Sequence, residues 1–78
     1  MPGFFVFSPA KLRATRKARG WSQYKLSYAS SVPQPHIWAY EAGQRSPSRP
    51  TLARLAEALK VSPRDLVDED PMFATVAQ

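Results

Sequence analysis

The sequence predicts an all-α fold, one small domain built of five short helices. Serine–proline pairs and single glycines divide the chain into pieces of helical length, since serine and proline favour a helix start and glycine favours its end. Apolar residues recur within these pieces at helical spacing, whereas the alternation typical of strands is missing. With 78 residues, the chain is long enough for one domain and too short for two.

The first two predicted helices are bounded by polar caps and a glycine. Ser8 is the expected N-cap of a helix that starts at Pro9 and ends before Gly20. Ser22 is the expected N-cap of a second helix that runs to about Ala29. A turn follows over residues 30–32.

The third helix is predicted to begin at Pro33 and to run to Ala42, where Gly43 ends it. A second proline follows the first, at Pro35. Both are compatible with a helix if they fall in its first turn, where backbone N–H groups have no partner inside the helix. The start of this helix is therefore reinforced by proline.

Residues 43–50 form a polar, basic loop, after which Thr51 is the expected cap of a fourth helix. The apolar residues of that helix follow i, i+3, i+4, i+7 spacing: Leu52, Leu55, Ala56 and Leu59. Ser62 and Pro63 then start a short fifth helix. The whole predicted core comprises Leu12, Trp21, Leu26, Val32, Ile37, Tyr40, Leu52, Leu55, Leu59, Val61 and Leu66.

Three segments follow from these boundaries: an N-terminal arm (residues 1–8), the helical domain (9–67) and an acidic and apolar tail (68–78). The arm carries Phe4, Phe5 and Phe7, for which five helices offer no obvious place. These aromatics, like Met72–Ala74 in the tail, either form a dimer surface or fold back over the domain. Nothing after Asp68 has a helical period, so the tail is expected to fray or to enter an interface.

Charge and composition narrow the function. All eleven Lys and Arg lie within residues 1–64, beside only two acids, Glu41 and Glu57, so this part carries a net charge of +9. A basic body of this kind favours a polyanion, most often nucleic acid. Without cysteine there is no disulfide and no thiolate zinc site. No apolar run reaches the ~20 residues of a membrane span, and residues 4–7 do not form a signal peptide.

The central stretch is typical of two helices that cross steeply. A small residue, Ser27, lies where the first of them must approach the second, and Ser31 lies in the turn between them. The wider pattern comprises Leu12-x-x-x-Arg16, Gly20-Trp21-Ser22-Gln23, Leu26, Val32, Ile37, Tyr40-Glu41-x-Gly43, Pro47-Ser48 and Leu52-x-x-Leu55-Ala56-x-x-Leu59-x-Val61-Ser62. In this order it resembles the Cro/C1-type, phage-repressor-like helix-turn-helix proteins over residues 10–67.

The resemblance implies a lambda-repressor-like domain whose third helix reads double-stranded DNA, and hence a sequence-specific transcriptional regulator, a repressor. Two positions depart from the family pattern. Ser27 stands where the family has Ala, and Ser31 stands where it has Gly. Ser31 must therefore accept a left-handed backbone at some energetic cost. The prolines at 33 and 35 are also unusual.

By family position, the outward face of the third helix reads bases. Gln34 is the main candidate, because a bidentate glutamine–adenine contact is a standard major-groove pairing. His36 is expected to donate to guanine or phosphate, and Pro35 and Ala39 to contact thymine methyl groups. The candidate phosphate contacts surround this helix: Gln23, Lys25, Trp38, Gln44, Arg45, Arg49, Lys17 and Arg19. Trp38 has a packing role as its alternative, and in the family Gln23 also braces the start of the recognition helix.

Arg16 and Glu41 are expected to form a structural ion pair between the first and third helices, as the equivalent residues do in the family. A lone histidine without acidic or cysteine partners makes a poor metal or catalytic site. The sequence therefore predicts no enzyme, no metal and no cofactor.

The leading hypothesis is a cytoplasmic regulator that acts as a homodimer. Two recognition helices about 34 Å apart read more of a DNA site than one does. The alternative is an antitoxin or other interaction module whose tail binds a partner protein, because folding on binding suits an acidic tail.

Overall fold

The computed structural model describes residues 5–69, which form four α-helices, one turn of 3₁₀ helix and two short strands. The strands are β1 (Phe5–Phe7) and β2 (Val67–Glu69), and the helices are α1 (Pro9–Ala18), α2 (Gln23–Ser30), α3 (Gln34–Glu41) and α4 (Arg49–Leu59). The predicted fifth helix is wrong in type: Pro63–Leu66 is a 3₁₀ turn. It has only four residues before the backbone becomes extended at Val67, so no α-helical ladder can develop.

Serine hydroxyls start the helices. The Oγ atoms of Ser8, Ser22 and Ser48 each accept the N–H three residues further on, at 3.1, 3.0 and 3.3 Å. The first two caps confirm the prediction. The expected cap at Thr51 is wrong, because α4 begins one turn earlier and takes Pro50 into its first turn.

The prolines of α3 lie where the first-turn argument places them. Pro33 is the N-cap residue with an extended backbone, and the helix proper begins at Gln34. Pro35 is the second helical residue, so neither proline removes a hydrogen bond from the helix. No side chain caps this N-terminus, and the N–H of His36 donates to the carbonyl of Pro33 at 2.9 Å.

A single core lies between the helices. Its fully buried side chains come from every helix and from the 3₁₀ turn: Leu12, Leu26, Val32, Ile37, Leu55, Leu59 and Leu66. Trp21, Leu52 and Val61, which the sequence also assigns to the core, are partly buried and pack against it. Because α2 and α3 both bury residues here, the core fixes the angle between the two helices.

The turn between α2 and α3 is held by serine hydroxyls. Ser27 Oγ donates to the carbonyl of Val32 at 2.6 Å, and Ser30 Oγ donates to the carbonyl of Leu26 at 2.7 Å. Ser30 Oγ also accepts the N–H of Val32 at 3.3 Å. Ser31 has φ of 60°, which confirms the expected left-handed backbone. The hydroxyls thus stabilise a turn that lacks the usual glycine.

We expect Ser31→Gly to stabilise the protein by about 1 kcal/mol, because glycine adopts a left-handed backbone without the steric cost of a Cβ. Urea-induced unfolding monitored by circular dichroism measures this change. The matched control is Ala29→Gly, at an exposed position of α2 with ordinary helical backbone. That variant should lose about 0.5–1 kcal/mol. Equal changes in the two variants would contradict the assignment of strain to Ser31.

The two strands are a feature that the sequence did not predict. They pair antiparallel, with Phe5 opposite Glu69, Val6 opposite Asp68 and Phe7 opposite Val67. Three residues are too few to show an alternation along the chain, and the paired residues are 60 to 64 positions apart. The sheet links the predicted arm to the beginning of the predicted tail.

Phe7 folds back over the domain, with its ring 6.1 Å from that of Tyr40 in an edge-to-face arrangement. For this residue the fold-back alternative is confirmed. Phe4, Met72–Ala74 and the rest of the tail beyond residue 69 lie outside the described residues. The alternative, in which the tail binds a partner protein, therefore stays a prediction.

Lys11 fastens β2 to the start of α1. Its Nζ lies 2.8 Å from Asp68 Oδ1 and donates to the carbonyl of Val67 at 2.9 Å. The hydrogen bond from Lys11 lowers the pKa of Asp68 below the ordinary value of 3.8. This ion pair is half exposed, so it orders the strand more than it stabilises the whole fold.

Acid should release β2. A carboxyl whose pKa is lowered by folding stabilises the folded state above its ordinary pKa, and this contribution is lost as the pH falls through the lowered value. We expect the amide resonances of β1 and β2 to shift together below about pH 4. NMR titration measures this change, with Asp68→Asn as the variant that lacks the transition. If the strand resonances titrate identically in the unmodified protein and in Asp68→Asn, the Asp68 carboxyl is not the group that releases β2.

Candidate nucleic-acid interface

One face of α3 is open to solvent. Gln34, Pro35 and Trp38 are exposed, and 51% of the Trp38 surface is accessible. Ile37 and Tyr40 lie on the opposite face and are buried in the core. The accessible strip therefore begins at the N-terminus of α3 and continues along the helix through Trp38.

Of the predicted base-reading residues, Ala39 does not lie on the accessible face of α3, and His36 is only partly accessible. Ala39 is buried, with 7% of its surface accessible, so its placement on the outward face is wrong. The chain turns back at this point, because the N–H of Gln44 donates to the carbonyl of Ala39 at 2.9 Å. His36 is half-buried, with its ring 6.4 Å from that of Tyr40.

A chain of hydrogen bonds runs from Arg16 of α1 to Glu41, the last residue of α3. It continues through Gln23 of α2 to Gln34, the first residue of α3. Arg16 binds Glu41 through two parallel bonds, Nε to Oε2 at 2.6 Å and Nη2 to Oε1 at 2.9 Å. Gln23 Nε2 donates to Glu41 Oε1 at 3.1 Å, and its Oε1 accepts from Gln34 Nε2 at 3.0 Å. The structure thus brings together Gln23 and Gln34, which the sequence assigns to phosphate contact and base reading.

The Arg16–Glu41 ion pair is confirmed and buried, since the two side chains are only 9% and 5% accessible. A third bond, from Arg16 Nη1 to the carbonyl of Trp21 at 2.7 Å, ties the guanidinium to the start of α2. The hydrogen bond to Glu41 raises the pKa of Arg16. The pair links three helices, because Arg16 belongs to α1, Glu41 belongs to α3, and the carbonyl of Trp21 lies just before α2.

Besides Trp38, six of the predicted phosphate contacts are exposed: Lys17, Arg19, Lys25, Gln44, Arg45 and Arg49. Lys25 Nζ also lies 5.7 Å from the centre of the Trp21 ring. Arg19 is engaged by the protein itself, because its Nη1 donates to the carbonyl of Leu59 at 3.2 Å and its guanidinium lies 4.8 Å from the Trp21 ring. The DNA roles of all these residues stay predictions.

A cleft beside α3 contains a cation that the sequence reasoning missed. Arg13 lines this cleft together with Trp38 of α3 and Ala42, the residue that follows α3, and the Arg16–Glu41 pair and Gln23 form the rest of its wall. Arg13 precedes Arg16 by three residues, so the two share one side of α1. The three-residue spacing from Arg16 is the feature of the sequence that could have identified Arg13. In the structure Arg13 lies beside the accessible strip of α3.

The described residues contain no group of three or more His, Cys, Asp or Glu side chains that could hold a metal ion. No helix among residues 5–69 is both long and apolar enough to cross a membrane. What the described surface offers is an exposed helix face beside exposed cations.

Comparisons with known proteins match this arrangement. The model of a family described as "Helix-turn-helix domain" matches residues 10–69. The restriction-modification controller protein C.AhdI from Aeromonas hydrophila is 36% identical over 74% of this chain and 88% of its own, with a TM-score of 0.72. The clp gene regulator ClgR from C. glutamicum is 31% identical over 74% and 75%, with a TM-score of 0.69.

The biofilm master regulator SinR, whose structure is in complex with DNA, shares the fold. It has a TM-score of 0.72 at 24% identity, over 74% of this chain and 94% of its own. No curated protein matches the chain.

Proposed function

Since the chain belongs to the helix-turn-helix domain family, we propose that it is a sequence-specific repressor that reads the major groove with α3. Membership confirms the resemblance to Cro/C1-type proteins and makes the chain a DNA-binding regulator of transcription. The family model and the match to the controller protein C.AhdI are those of DNA-binding regulators. Repression, the base-reading residues, the dimer and a cytoplasmic location are parts of the proposal.

One observation carries the proposal: Gln34 is exposed at the first position of α3 and its amide is already held by Gln23. A side chain that enters the groove in a fixed orientation loses less conformational entropy on binding. Gln34 Nε2 has a second proton, and its Oε1 has no hydrogen bond within residues 5–69. One donor and one acceptor therefore remain for the edge of an adenine.

Affinity would come mainly from the exposed cations around α3, because phosphate contacts release counterions and set the register of the protein on DNA. Lys17, Lys25, Arg45 and Arg49 are exposed and available for this role. A homodimer would place two copies of α3 on successive turns of the major groove, about 34 Å apart.

The experiment is selection from genomic fragments, followed by binding measurements at several salt concentrations. We expect a preferred palindromic site and an affinity that falls steeply as salt rises. Equal affinity for the selected site and for scrambled DNA would contradict sequence-specific reading. Transcription from a promoter that carries the selected site then tests repression, since a repressor lowers its output and an activator raises it.

A further inference from the structure

The two edges of the small sheet differ. On β2 the outward carbonyl of Val67 accepts a hydrogen bond from Lys11 Nζ at 2.9 Å, and the same ammonium pairs with Asp68. A lysine placed along an edge strand hinders the addition of another strand. The outer edge of β2 is therefore closed by this protein's own side chain.

The edge of β1 is open. The N–H of Ser8 donates to the carbonyl of Leu66 at 2.9 Å, which makes these two residues a hydrogen-bonded pair. Bonded and non-bonded pairs alternate along an antiparallel ladder. In the observed register Val6 and Asp68 are then the next bonded pair, and the N–H and C=O groups of Phe7 point away from β2. Those two groups have no hydrogen-bond partner among residues 5–69.

The side chains along β1 suit a copy of the same strand. Phe5–Phe7 carries no charge, and Val6 is 47% exposed. Two β1 strands can therefore pair without burying a charge. Two β2 strands paired about Asp68 would instead bring Asp68 of one copy opposite Asp68 of the other, and like charges across strands are destabilising.

We infer that the open edge of β1 pairs antiparallel with β1 of a second copy, so that the two sheets become one four-stranded sheet. The inference rests on the proposed homodimer and names its interface. A two-fold axis at Val6 places the Val6 residues of both copies opposite each other and Phe5 of each opposite Phe7 of the other. Four strands are more stable than an isolated pair, which is marginal in water.

The interface has a direct connection to the DNA reader. Phe7, whose backbone would bond the second copy, packs its ring against Tyr40 of α3. Three residues on each side make a small contact, so the dimer should be weak in solution and should strengthen when both copies bind one DNA site.

Cysteine cross-linking tests the register, because the chain has no cysteine of its own. In the proposed pairing Val6 faces Val6 in a non-bonded pair, with Cα atoms about 4.5 Å apart, which lies within the range that a disulfide spans. We expect Val6→Cys to form a covalent dimer under mild oxidation, at least about tenfold faster than Tyr28→Cys. Tyr28 lies on α2 and is 78% exposed, so its substitution controls for random collision. Equal rates in both variants would overturn the inference.

The equilibrium test uses Val6→Lys, which places two ammonium groups opposite each other, and Val6→Thr as the uncharged control. Sedimentation of the full chain without DNA should show a dimer dissociation constant raised at least about tenfold by lysine and about threefold or less by threonine. Thermal unfolding of each variant shows whether the monomer is intact.

The outcomes separate the two proposals. If the unmodified chain stays monomeric at every concentration and on its DNA site, the proposed homodimer fails and this interface fails with it. If the chain dimerises but Val6→Lys leaves the dissociation constant unchanged, the homodimer stands and the β1 interface is overturned. A dissociation constant that rises at least about tenfold with Val6→Lys and about threefold or less with Val6→Thr supports both proposals.

Discussion

Replacing Glu41 with alanine should destabilise the protein by about 3–5 kcal/mol, because it leaves the buried guanidinium of Arg16 without its partner. Gln23 loses an acceptor in the same substitution. For a domain of this size the melting temperature should fall by about 12 °C or more. Thermal unfolding followed by circular dichroism measures the change.

Glu57→Ala is the matched control, since it removes an exposed carboxylate from α4 and should change stability by less than about 0.5 kcal/mol. The pair Arg16→Met with Glu41→Leu tests the mechanism, because apolar residues of similar volume can replace a buried ion pair at little cost. We expect this double variant to be more stable than Glu41→Ala alone. The same melting temperature for Glu41→Ala and Glu57→Ala would show that the pair contributes nothing.

Gln34→Ala should reduce the discrimination between the selected DNA site and a site with one altered base by about 1–3 kcal/mol, or roughly 5–150-fold. The reason is the loss of a bidentate contact to one base. The affected position should accept any base, while the rest of the site keeps its preference. Competition binding against a set of single-base variants measures this.

The control is Lys17→Ala, at an exposed position of α1 proposed to contact phosphate. That variant should weaken binding to all sequences alike and lower the salt dependence by about one unit of slope. Gln23→Ala should couple to Gln34→Ala in a double-mutant cycle, because Gln23 holds the Gln34 amide. If Gln34→Ala weakened every site equally, Gln34 would be a backbone contact.

The sequence predicted the helices well because their signals are local. The caps at Ser8 and Ser22 and the prolines of α3 each depend on one or two neighbouring residues. The left-handed backbone of Ser31 and the ion pair between Arg16 and Glu41 followed from the family resemblance, and the structure shows both. These features could be read without knowing where distant segments meet.

The missed features depend on contacts between distant segments. Ala39 is buried and its carbonyl accepts the N–H of Gln44, and helical spacing reveals neither its burial nor this contact with the segment after α3. The β1–β2 sheet needs residues 5 and 69 to meet, and neither three-residue strand has a pattern of its own. The cap of α4 is Ser48 and not Thr51, because Pro50 belongs to the first turn of the helix, where proline is well tolerated.

The strand pair also has a consequence for the order in which the protein folds. Residue pairs in the sheet are 60 to 64 positions apart, whereas α2 and α3 are separated by a short turn. Low contact order favours early formation, so we expect the helices to assemble first and the sheet to close last. Substitutions at Val6 should then change the unfolding rate and leave the folding rate almost unaltered. The recognition helix α3 would therefore form before the β1 edge, through which we propose that two copies associate.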